Sequence, residues 1–223
     1  MSSFEPIDLS EFGRRTGLDM RELAHMSRAD RIVSPRQIVI ARWMLSMRLD
    51  YLEGLISSVP LLGDPERKPY AGCRIDRYRM DPRMSKVGQT FIERGKIRAL
   101  HELFSGLFDE HDVPYGISKK GAWWIFGDTA EGDRAIAQYL PPIVEQIENR
   151  HAILDGIHRF SYIRGAGTTL EIIKISDPKA PFPADLQKWD SIKAVDEKPP
   201  KDQRFFNLKP ELFRDLKYVG IDG

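Results

Sequence analysis

The spacing of apolar residues changes period several times along the chain. Behind Ser34-Pro35-Arg36-Gln37, apolar positions at Ile38, Ala41, Leu45, Leu49, Leu52 and Ile56 recur near helical spacing. The pattern predicts one helix from Ser34 to about Ser57 with a single buried face. Ser34 suits its cap, Pro35 its first position and Gln37 a capping box. With a shorter candidate helix at Leu18 to Met26, residues 1–70 read as a helical N-terminal extension. Pro60, Gly63, Asp64 and Pro65 then mark a linker. Cys73 to Met80 reads as a short strand, with Ile75 and Tyr78 inward. Gly95 precedes a helix from Lys96 to Phe108 whose stripe is Ile97, Leu100, Leu103, Phe104, Leu107 and Phe108. Ala122 to Phe126 reads as a strand and Asp133 to Tyr139 as a short helix.

The pattern is clearest from Leu140 to Ile175. Strands at Ile143 to Ile147 and His151 to Leu154 flank the polar turn Glu148-Asn149-Arg150, which predicts a hairpin. A short helix follows Gly156 to about Arg164 and stops at Gly165 and Gly167. Leu170 to Ile175 is a β-branched strand. Beyond Pro178 the chain is rich in proline and charge, reading as a wrapping segment, 179–223, with a final helix near Pro210 to Leu216. The expected class is α+β, with residues 71–178 as the core. No internal repeat is visible.

Composition narrows the function classes. Thirty-four basic and 33 acidic residues give a net charge of +1, so no bulk field draws nucleic acid or an acidic membrane. The single cysteine, Cys73, excludes an internal disulfide and a Cys-rich metal cluster, and fits a reducing compartment. No histidine pair has metal-ligand spacing. The N-terminus lacks the blocks of a signal peptide, and no apolar run approaches the ~20 residues that span a bilayer. A cytoplasmic protein is expected.

The turn Asp155-Gly156-Ile157-His158-Arg159 carries the candidate chemistry. A strand that feeds a glycine turn into a helix start aims backbone N–H groups and the positive dipole end at one point, which suits an anion. Gly156 allows close backbone approach. Arg159 offers a planar fork of donors for phosphate or carboxylate. His158 donates a hydrogen bond or moves a proton near neutral pH. The residues alone are equally read as structure: Asp155 as a helix cap, Arg159 in an ion pair, His158 packed.

With its surroundings, the turn resembles the ParB/sulfiredoxin-like superfamily. The resemblance rests on Leu140-Pro141-Pro142-Ile143, the hairpin, Ile153 to Phe160 and Leu170 to Ile175, with the Lys96 helix as first core helix. It covers roughly residues 73 to 176 with an insertion between Phe108 and Leu140, and implies nucleotide phosphates held on the turn and at the first core helix's start. Gly156, His158 and Arg159 match the family's turn, and Lys96 matches a lysine near phosphate. Ile157 stands where sulfiredoxins have their catalytic cysteine, and the Arg-rich ParB motif is absent. The Asp-Gly-X-His-Arg form is similar to the free-serine-kinase branch, which implies phosphoryl transfer from ATP or ADP with Mg²⁺ to a small hydroxyl compound or nucleic-acid component. Asp81, Glu93 and Glu102 flank the first core helix as candidates for the carboxylate that orients the acceptor; residue type and position favour Glu93. Asp155 and His158 complete the candidate catalytic set.

Two other classes stand beside this reading. The N-terminal helices read as a helix-turn-helix that places Arg36 and Arg42 toward DNA phosphate. A nucleotide-sensing module without turnover is the other. Trp123-Trp124 is either a stacking platform or, by strand alternation, one core and one surface residue.

Overall fold

The computed structural model describes residues 31–103 and 122–216. Among them are three α-helices and eleven strands, an α+β arrangement. In chain order these are β1 (Arg31–Val33), β2 (Ile38–Ser46), α1 (Leu49–Ser57), β3 (Arg74–Met80), β4 (Ser85–Val87), β5 (Phe91–Glu93), α2 (Arg94–Leu103), β6 (Trp123–Thr129), β7 (Arg134–Tyr139), β8 (Ile143–Ile147), β9 (Arg150–Asp155), α3 (Ile157–Gly165), β10 (Leu170–Ser176) and β11 (Lys193–Val195).

The sequence pattern from Ile143 to Ser176 folds as expected. β8 and β9 form an antiparallel hairpin, α3 follows, and β10 returns parallel to β8. The resulting five-stranded sheet has the order β3-β10-β8-β9-β4. Both of its faces are covered. Ile75, Ile143, Ile173 and Ile175 face one core with Leu52, Leu55 and Ile56 of α1. Val144, Leu170 and Ile172 face another with Ile157, Phe160 and Ile163 of α3. Two covered faces explain the near-continuous β-branched run of β10.

Three expectations fail locally. The predicted helix from Ser34 to Ser57 is a 3-10 turn (Pro35–Gln37), then β2, then α1. Gln37 still accepts the Ser34 N–H, so the capping signal was real but stops after one turn. β2 pairs with β6 through two register shifts, at Ile38/Ile40 and Ala41/Trp43. Those bulges break strict alternation, which gave the strand a helix-like apolar spacing. The predicted helix at Asp133 to Tyr139 is β7, a central strand between β1 and β6. Ala135, Ala137 and Tyr139 enter one core and Ile136 the other. Pairing on both edges and burial on both faces override the helix propensity of Ala and Gln. Tyr78, expected inward beside Ile75, is 46% exposed, because residues three apart on a strand lie on opposite faces. The Lys174 ammonium stands 4.7 Å from its ring centroid.

Beyond Pro178 the described segment, to residue 216, holds one short strand, β11, and three 3-10 turns. It touches the rest of the molecule at β11–β5 and through bridges Leu61↔Arg214, Val87↔Gln187 and Gln89↔Phe205. The expected helix at Pro210 to Leu216 is one 3-10 turn, Pro210–Leu212. A buried cluster anchors this end. Arg214, 1% exposed, donates through Nε and Nη2 to the two oxygens of Glu145, 0% exposed, at 2.9 and 3.1 Å. Tyr70 donates to the same carboxylate at 2.6 Å. The Arg214 guanidinium also reaches the carbonyls of Pro181, Leu212 and Ala180. Among the described residues, no helix is long and apolar enough to cross a membrane.

Candidate functional site

β9 ends at Asp155 and the chain turns into α3 through Gly156. Gly156 has φ +87°, the left-handed region that glycine alone enters without strain. A Cβ there would also lie 2.7 Å from Pro142 Cβ. The Pro142 carbonyl accepts the Ile173 N–H at 2.8 Å, so this proline is pinned to β10. Gly156 is the N-cap of α3 and brings no capping side chain.

Asp155 does not cap it, because its carboxylate is taken by Arg159, 2.9 Å away and one helical turn on. Arg159 also donates to the Leu140 carbonyl and lies 5.6 Å from the Tyr139 ring centroid. Both side chains are mostly buried, at 16% and 13% exposure. Burial pushes the Tyr139 hydroxyl pKa up, and the Arg159 charge pulls it back. Arg159 therefore ties the helix start to the end of β9 and to the segment before β8. The ion pair expected of Arg159 is present, while the cap expected of Asp155 is not.

His158 points elsewhere. Its Nε2 accepts the backbone N–H of Glu93 at 3.0 Å. That bond uses the Nε2 lone pair. Glu93 is the last residue of β5, and α2 starts at the next one. The helix begins two residues earlier than the pattern predicted, so Gly95 lies inside its first turn and Lys96 at its third position. Lys96 Nζ lies 3.3 Å from Glu93 Oε1, and His158 Nε2 lies 3.9 Å from the same oxygen. Glu93 Oε1 is shielded from solvent and has no aligned hydrogen bond, the Lys96 contact being an ion pair by distance alone. The three side chains are 15–25% exposed.

The structure thus joins Glu93, Lys96 and His158, which lie up to 65 residues apart, where the starts of α2 and α3 converge. Gly156 shapes the turn beside them. Asp155 and Arg159 form a separate pair behind it. Asp81 belongs to neither group. It caps the 3-10 turn Pro82–Met84 and holds Arg83, whose hydrogen bonds keep its carboxyl below the usual range. The Glu102 side chain lies outside the described residues, as do Leu18 to Met26 and Phe104 to Phe108. Arg42 lies on β2 and pairs with Asp128 at 2.5 Å, so the second helix of a helix-turn-helix is not formed there. Trp124 is 1% exposed and Trp123 half-buried, the outcome that strand alternation predicts. Cys73 is a half-buried free thiol near the carbonyls of Pro69 and Asp177.

The sequence reading missed the partners that hold Glu93 from the other side. β11 pairs in parallel with β5 and sets Val195 opposite Glu93. Asp196 pairs with Arg94 at 2.8 Å. A three-residue strand about a hundred positions downstream leaves no periodic signal. Among the described residues, no group of three or more His, Cys, Asp or Glu side chains is placed to hold a metal ion. Comparison with protein-family models, with curated proteins and with solved structures finds no match to this chain.

Proposed function

We propose that the protein is a nucleotide-binding phosphotransferase that moves a phosphoryl group from ATP or ADP to a small hydroxyl compound or nucleic-acid component. The observation that carries this reading is the convergence of Glu93, Lys96 and His158 at two helix starts. Phosphoryl transfer asks for charge neutralisation, alignment and a carboxylate at the attacking hydroxyl. Lys96 supplies a cation. The α3 start, whose N-cap Gly156 has no side chain, supplies the positive end of a helix dipole. Glu93 supplies a carboxylate, 17% exposed, beside that cation, the group type that orients an attacking hydroxyl. His158 accepts the Glu93 N–H and so fixes the Glu93 backbone. Arg159 takes a positioning role here, holding the helix start through Asp155 and the Leu140 carbonyl. Mg²⁺ would accompany the nucleotide and neutralise phosphate charge, asking few ligands of this chain.

The order strand, helix, Pro-Pro-Ile-Val strand, hairpin partner, glycine turn, helix, strand runs through β3, α2, β8, β9, α3 and β10. It supports a ParB/sulfiredoxin-like core as the setting for this chemistry.

A thermal-shift panel of ATP, ADP, CTP and GTP, each with Mg²⁺, tests the reading. Ligand at a hundred times its Kd stabilises the folded state by about 2.7 kcal/mol. The wild type should shift upward with at least one nucleotide, and His158→Ala and Lys96→Ala should each lose the shift. No shift with any nucleotide sinks the proposal. A shift without nucleotide consumption on a panel of hydroxyl acceptors assigns a sensor instead of an enzyme.

A further inference from the structure

The C-terminal segment does more than cover surface. Its contacts fall on both halves of the candidate site. On one side β11 is the strand that pairs with β5 among the described residues. Lys193 donates its N–H to the Thr90 carbonyl at 3.0 Å, and Thr90 N–H donates to the Arg204 carbonyl at 3.0 Å. The pairing continues past the strand end through Asp196 and Arg94. On the other side Trp189 stacks on Phe160 of α3, with ring centroids 6.5 Å apart. The Trp189 indole N–H reaches the Pro82 carbonyl and Ser85 Oγ, both at 3.1 Å. One strap therefore grips the element that carries Glu93 and the helix that carries His158.

Glu93 needs such support. It closes a three-residue strand, and its carboxylate has no aligned hydrogen bond to orient it. Its position is set by its backbone, held by His158 from one side and by β11 from the other. We infer that the strap around β11 is a positioning element of the site, holding Glu93 against His158 and Lys96. This rests on the reading of Glu93 as the carboxylate that orients the acceptor. Displacing the strap releases Glu93 from His158 and Lys96 and so also disturbs the two groups that meet the nucleotide.

Lys193→Pro separates these ideas. It deletes the N–H that donates to Thr90, and Ile192 before it has ψ 140°, which a following proline tolerates. Amide exchange followed residue by residue reads the Glu93 N–H directly, since His158 is its acceptor. The expected result is about tenfold faster exchange at Glu93 in Lys193→Pro, with no change in Lys193→Ala. The Mg-ATP thermal shift should shrink in the proline variant and persist in the alanine one. Rapid exchange at Ala194 to Asp196 with an unchanged Glu93 amide overturns the inference. So does a full Mg-ATP shift in a variant whose strap has opened. If Lys193→Pro does not fold, Asp196→Arg, which sets like charge against Arg94 at an exposed position, carries the same two readouts. A wild type that binds no nucleotide removes the phosphotransferase reading, while the exchange comparison still decides the strap.

Discussion

Gly156 shows how one residue's backbone governs a site. Its positive φ and the nearness of Pro142 leave no room for a side chain. Gly156→Ala should lower stability by about 1–3 kcal/mol, combining left-handed strain with a shift of Pro142 or the turn. Urea denaturation measures this, and a loss under about 0.5 kcal/mol would show a turn free to rearrange. The identities in the turn were legible from the sequence, but their assignments were not. Both His158 and Arg159 lie in the first turn of α3, yet one faces Glu93 and the other faces Asp155 and the Leu140 carbonyl. Residues adjacent on a helix point about 100° apart, so they cannot share one ligand as readily as their adjacency suggests.

At the scale of elements, His151 of β9 gives a measurable pH dependence. Burial lowers its pKa below the ordinary 6.5, and the nearby Lys174 charge lowers it further. The unfolded chain then binds the proton more readily than the folded one. The associated stability is present above pH 6.5 and is lost as pH falls below it toward the depressed folded value. Urea denaturation between about pH 7 and 5 should show a shallower pH slope in His151→Gln than in the wild type. Equal slopes would place the titration elsewhere. Elements also set the limit of pattern reading. β8 and β10 were visible as β-branched runs, β9 as the partner across a polar turn, and α3 from the glycines at its start and end. β2 and β7 were not, since bulges distort one and the other is rich in Ala and Gln, helix formers that pairing and burial override.

At the scale of the molecule, the Tyr70–Glu145–Arg214 cluster joins parts of the chain up to 144 residues apart. Removing one partner of a buried ion pair leaves the other charge uncompensated. Arg214→Met should cost about 3–5 kcal/mol, and Glu145→Met added to it should recover part of that loss. Additive losses in the double variant would show that the pair does not act as a unit. The cluster ties the strap's far end to β8, so the anchorage of the C-terminal segment and the order around Glu93 belong to one structure. Residues 47–59, before the expected boundary at residue 70, share a core with Ile143, Ile173 and Ile175, so that boundary marks a linker in sequence and not a break in packing. By itself the sequence determined the α+β class, the hairpin and glycine turn, and the residue types gathered at the two helix starts, since local periodicity and turn chemistry write these directly. Only the tertiary structure decided that Glu93 meets His158 while Arg159 turns away, that β7 is a strand, and that a strand some hundred residues downstream pairs with β5. Those outcomes depend on burial and on pairing between distant segments, which no local pattern records.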